Sequence, residues 1–174
     1  LQELSVEAST NLAVSGYSNS DIIETIGKNI KDIDESDYVL IGWSDITRYR
    51  TRVLNKNQWT TVSINNIRPH TPNSPKYFHE ECFSRDHQIV VEELESWICI
   101  LNRALPKNTL HWTPFQDQVV HHKMDLFTPN FKLKRIFEEG EVNDKHITEE
   151  AHKDVANWMI DIFNNGKPSN INLI

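Results

Sequence analysis

The chain has 174 residues, enough for one domain with a buried core, and its 38% hydrophobic and 25% charged content is that of a globular protein. No apolar run approaches the roughly 18 to 20 residues that a membrane span needs. With 25 acidic against 18 basic residues the formal charge is −7, which argues against the broad basic face of a nucleic-acid-binding domain.

The N-terminus, Leu1-Gln2-Glu3-Leu4, has neither an initiator Met nor the basic-then-apolar layout of a signal peptide. Either the chain is processed or its true beginning lies upstream, and the expected location is cytoplasmic or virion-associated. Thr10-Asn11-Leu12-Ala13-Val14 is a short apolar run that stops at Ser15-Gly16, and it predicts a buried strand. Ile22, Ile23, Ile26, Ile30 and Ile33 are spaced for one face of a helix. Two capping pairs fit its start, Ser18 with Asp21 or Asp21 with Glu24. Tyr38-Val39-Leu40-Ile41, stopping at Gly42, predicts a second strand. Residues 46 to 64 read as irregular extended structure. Within them Arg48, Arg50 and Arg52 would share one face, either a local basic patch or simply a solvated strand face.

Arg68 to Pro75 holds three of the seven prolines and must be a loop. From Ser84 to Leu105 a helix is expected, with Val90, Leu94, Trp97, Ile98, Leu101 and Leu105 on its packed side and Pro106 after its end. Thr109 to Thr113 predicts a third strand, and residues 114 to 143 are mixed and polar. Thr148 then precedes a helix whose buried side would be Ala151, Val155, Trp158, Met159, Ile162 and Phe163. This alternation predicts one α/β domain over residues 1 to 165, a mainly parallel sheet with helices on both faces, followed by a tail over 166 to 174. Ligands of such sheets bind beyond the carboxyl ends of the strands. That directs attention to Ser15-Gly16, to Gly42 to Asp45, and to the loop before the last helix.

That last loop reads Asn143-Asp144-Lys145-His146. In an extended segment side chains two apart lie on one face, so Asp144 can hold the ring of His146, as the acid does in a Ser-His-Asp triad. Polar residues in water ahead of a helix are the competing reading. Gly16 lets the backbone approach a ligand closely, and an N–H there can point at a developing oxyanion; alternatively Gly16 only makes the turn. In Gly42-Trp43-Ser44-Asp45, Ser44 can donate toward the same point, while Trp43 suits either the site or the core.

Other residue types lead less far. His79-Glu80-Glu81-Cys82 and His121-His122 are metal-ligand types without a recognised zinc spacing, so no metal or other cofactor is expected. Cys82 and Cys99 read as free thiols in a reducing compartment, and His152 as partly exposed packing on the final helix.

Three of these segments together resemble the sequence blocks of SGNH/GDSL hydrolases. Asn11-Leu12-Ala13-Val14-Ser15-Gly16-Tyr17-Ser18-Asn19 resembles the second block and Ile41-Gly42-Trp43-Ser44-Asp45 the third. Asp144-Lys145-His146, continuing through Glu150, His152 and Ala156, resembles the last. The nearest likeness is to a branch common in phage and marine bacterial sequences, whose third block reads Gly-Trp-Thr or Gly-Trp-Ser with an Arg soon after, as Arg48 is here. The resemblance covers roughly residues 1 to 50 and 140 to 164. It implies a three-layer, flavodoxin-like fold and a serine-dependent ester hydrolase. His146 would be the base, Asp144 its orienting acid, and Gly16 and Ser44 oxyanion donors, with Asn19, Trp43, Asp45 and Arg48 lining the site. Small esters, lipids and acylated glycans all fit as substrates, no cofactor is needed, and the oligomeric state is open.

Two departures from the family stand out. Its first block, Gly-x-Ser after the first strand, carries the nucleophile. Only fifteen residues precede Gly16, and neither Ser5 nor Ser9 has that block's pattern, so the first strand and the nucleophile are expected outside this chain. Ser44 stands where most members have Asn; Asp144 lies two residues before the histidine where many members have three, a spacing other members also use. A non-catalytic glycan-binding or structural module on the same fold is therefore the alternative.

Overall fold

The structure is a computed structural model. It describes residues 8–46, 48–53, 58–63, 87–114, 126–127 and 148–166; for residues 49, 51–53, 58–63, 87 and 88 it describes the backbone. The chain forms two compact units. One spans Asn11–Phe127; the other combines Leu1–Thr10 with Thr128–Ile174.

In the first unit, helix α1 (Asn19–Asn29) runs into a short 3-10 turn (Ile30–Asp32). Of the two capping pairs open in the sequence, the structure uses Ser18 and Asp21. The Ser18 hydroxyl accepts from the Asp21 N–H at 3.3 Å, and the Asp21 carboxylate accepts from the Ser18 N–H at 2.9 Å. This reciprocal arrangement satisfies donors that a helix start would otherwise leave bare. Ile22, Ile23, Ile26, Ile30 and Ile33 are half-buried against the core, as their spacing predicts.

Strand β1 (Val39–Gly42) pairs in parallel with β4 (Thr109–Trp112), and β4 pairs in parallel with β5 (Leu126–Phe127), giving the order β1-β4-β5. Between β1 and β4 lie β2 (Arg48–Val53) and β3 (Gln58–Ser63), then helix α2 (His87–Ala104). The combination of helices with a parallel sheet is α/β. Ile41, Trp43, Ile46, Leu126 and the α2 residues Val91, Leu94, Ile98 and Leu101, with Leu105 just beyond, form the core cluster.

Three expectations need correction. Thr10 to Val14 is not a strand: it is irregular and exposed. A strand exists only through pairing, and no strand among the described residues pairs with this run. Within the stretch expected to be irregular, β2 and β3 instead form an antiparallel ladder from Arg48 opposite Ser63 to Val53 opposite Gln58. Trp97 is not on the packed side of α2. It is 40% exposed, and Val91 completes the buried stripe with Leu94, Ile98, Leu101 and Leu105. Positions 91, 94, 98, 101 and 105 follow a strict three-four spacing that position 97 breaks.

In the second unit, helix α3 (Glu149–Asn165) is capped by Thr148, whose hydroxyl accepts from the Ala151 N–H at 3.2 Å. Ala151, Val155, Met159 and Ile162 are buried, Trp158 and Phe163 half-buried, and His152 is exposed. Among the described residues, no helix is long and apolar enough to cross a membrane.

Candidate functional site

Because β1, β4 and β5 are parallel, their carboxyl ends form one rim. The Trp43 N–H donates to the Trp112 carbonyl at 2.8 Å, and the Thr113 N–H to the Phe127 carbonyl at 3.0 Å. Pairing thus continues one residue past the ends of β1 and β4, and the chain leaves the sheet at Ser44 and Pro114.

Gly42 sits at the β1 end of this rim. A Cβ there would come within 3.1 Å of the Trp112 Nε1, so the Trp112 indole lies close over its backbone. Trp43 points inward and is 1% exposed. Its indole N–H donates to the Nδ1 of His111, itself 0% exposed, at 3.1 Å, and the rings stack. Trp43 is thus a core residue whose backbone, not its ring, borders the rim. Sequence reasoning missed His111, because nothing in Thr-Leu-His-Trp marks the histidine as the partner of an indole 68 residues away.

The next residue, Ser44, is held from α1. Its backbone N–H donates to the Oδ1 of Asn19, the first residue of the helix, at 2.8 Å. This bond brings the segment containing Gly16 and Asn19 to the segment containing Ser44. The Ser44 hydroxyl oxygen is buried and has no hydrogen-bond partner among the described residues. Buried hydroxyls are nearly always satisfied, and leaving one bare costs about 1–3 kcal/mol.

Gly16 lies three residues before Asn19, in a turn closed by the Tyr17 N–H on the Val14 carbonyl at 3.4 Å. Its φ is +84°, and beyond its two chain neighbours no described residue comes within 4 Å of where a Cβ would stand. Glycine is required there by backbone conformation, as at the third position of a type II turn, and not by crowding.

Beyond Ser44 the chain turns. The Arg48 N–H donates to the Asp45 carbonyl at 3.0 Å, and Ile46 is buried beneath this turn. Arg50 is not on a solvated face. Its guanidinium pairs with the Asp21 carboxylate at 3.1 Å and with Glu24, and its side chain is 23% exposed. Asp21 thereby joins helix cap and strand: one oxygen faces Ser18, the other Arg50. The Lys28 ammonium and the Arg50 guanidinium, both hydrogen-bonded to Glu24, hold its carboxyl below its ordinary value of 4.5. The sequence signal for this contact was available, since Asp21 and Glu24 lie three apart on α1, but which arginine they meet was not.

His146 and Asp144 lie outside the described residues, as do His79 to Cys82, His121 and His122. Cys99 is an exposed free thiol. Among the described residues no group of three His, Cys, Asp or Glu side chains is placed to hold a metal ion. Of the eight residues that the sequence singles out, the structure therefore joins Ser44 to Asn19 directly and Asp45 to Arg48 through the turn. It sets Gly16 in the turn just ahead of Asn19 and turns Trp43 into the core. No family model, no curated protein and no solved structure matches the chain.

Proposed function

We propose that the chain serves a serine-dependent ester hydrolase of the SGNH/GDSL type, on a three-layer α/β/α fold. The observation that carries this reading is the Ser44 N–H to Asn19 hydrogen bond beside a buried, unpartnered Ser44 hydroxyl. Two segments that resemble separate blocks of one family meet at a sheet's carboxyl rim, and there they leave a hydrogen-bond donor unused. An oxyanion stabiliser is such a donor, aimed at charge that appears only during reaction.

In this reading a serine hydroxyl from a Gly-x-Ser block outside residues 1 to 174 attacks an ester carbonyl. His146 takes its proton and returns it to the leaving alcohol, while Asp144 holds the ring. The Gly16 N–H and the Ser44 hydroxyl share the oxyanion with the nucleophile's own N–H. Water then repeats the sequence on the acyl-enzyme, releasing the acid.

The test is turnover of a short p-nitrophenyl ester by the chain expressed with its upstream coding sequence. Turnover that falls about 10⁴-fold in His146→Ala supports the reading. Full activity in that variant removes His146 from the chemistry. No turnover of esters, with retained binding of an acylated glycan, would identify a binding module instead.

A further inference from the structure

We propose that Arg48 anchors an anionic oxygen group, a carboxylate or a phosphate, on the molecule bound at the carboxyl rim of the sheet. The segment from Ser44 to Arg50 is tied at both ends to the first turn of α1, Ser44 by Asn19 and Arg50 by Asp21. Between these ties the Asp45–Arg48 turn, pinned by buried Ile46, holds the Arg48 Cα within about 7 Å of the Asp45 Cα. Arg48 and Arg50 are two apart on β2 and so share the face that Arg50 turns toward α1.

The two arginines differ in what neutralises them. Arg50 has Asp21 and Glu24. Arg48 is half-buried, and no acidic side chain among the described residues pairs with it. A guanidinium partly withdrawn from water without a counter-charge is poorly solvated, and its planar fork suits a carboxylate or phosphate in two parallel hydrogen bonds. A half-buried guanidinium with no acidic partner among the described residues, on a segment tied at both ends to α1, describes a receptor for an anion. If the hydrolase reading holds, the substrate is an ester of an acidic sugar or of a phosphorylated alcohol. The anion site itself does not depend on that reading.

The full-length protein, isotopically labelled, is titrated with glucuronate, with glucose 6-phosphate and with glucose at constant ionic strength, following the Nε–Hε resonance of Arg48. A saturable shift with either anion and none with glucose supports the site, and the stronger anion tells carboxylate from phosphate. Arg48→Ala, checked for an unchanged amide spectrum, is expected to weaken anion binding about tenfold or more, with Arg48→Lys intermediate. Equal binding in Arg48→Ala, or equal response to glucose, overturns the proposal. Turnover of p-nitrophenyl acetate in the same preparation separates the two ideas. Anion binding without turnover removes the hydrolase and keeps the site, whereas turnover without an anion response does the reverse.

Discussion

The indole N–H of Trp43 donates to the Nδ1 of His111 across 3.1 Å, with the rings 15° from parallel and their centroids 5.8 Å apart. Trp43 is the first residue past β1, and His111 lies within β4. The bond therefore fixes the end of β1 against its neighbour one residue before Ser44. It also assigns the imidazole, since a nitrogen that accepts carries no proton and the neutral ring keeps its hydrogen on Nε2.

Replacing His111 by Leu leaves the indole N–H facing an apolar group in a site closed to water. The expected loss is about 1–3 kcal/mol, the cost of a buried donor without an acceptor, read as a lower urea midpoint. A midpoint equal to that of the parent would mean the indole has found another acceptor.

Asn19→Ala removes the acceptor from the Ser44 N–H and should destabilise by about 1–3 kcal/mol, with faster hydrogen exchange at that amide. Asn19→Asp keeps an oxygen in place and should recover most of the loss. Ser44→Ala behaves differently, because its hydroxyl has no partner among the described residues to lose. Stability should hold or rise slightly, while kcat of the proposed hydrolase should fall about 10²- to 10³-fold. Parent-like kcat in Ser44→Ala would exclude the hydroxyl from transition-state binding.

Gly16 and Gly42 should fail for different reasons. Gly16→Ala meets no atom but forces a Cβ onto φ +84°, at a cost of about 1–2 kcal/mol, and Gly16→Asn should cost less. Gly42→Ala has no such backbone conflict; its methyl would press on Trp112 and displace the indole, at about 1 kcal/mol or more. Denaturation midpoints measure both, and the Trp112 indole N–H resonance should move only in the second.

Glu24 should titrate below 4.5, in a carboxyl-carbon NMR titration, because Lys28 and Arg50 stabilise its charged form. A carboxyl whose folded pKa is depressed adds stability above its unfolded pKa and loses it as pH falls through the folded one. Arg50→Met should raise the Glu24 midpoint and shrink the acid-side loss of stability, whereas an unmoved midpoint would leave Lys28 as the sole cause.

Local pattern alone placed α1, β1, α2, β4 and α3 close to their observed bounds, because helix periodicity, caps and short apolar runs depend on residues within a few positions of one another. The rule that ligands sit beyond strand carboxyl ends directed attention to Gly42 to Asp45, whereas Asn19 and Arg48 were marked only by the resemblance to the hydrolase blocks. Tertiary structure decided what depends on distant partners. Thr10 to Val14 has strand-like composition but no described neighbour to pair with, while Arg48–Val53 and Gln58–Ser63 find each other and become a ladder. Trp43 and Trp97 are the same residue type, yet one meets His111 and is sealed while the other faces solvent. Asp21 binds a strand arginine that no helix rule could name. Periodicity tells which side chains seek cover; only the meeting of remote segments settles which of them obtain it.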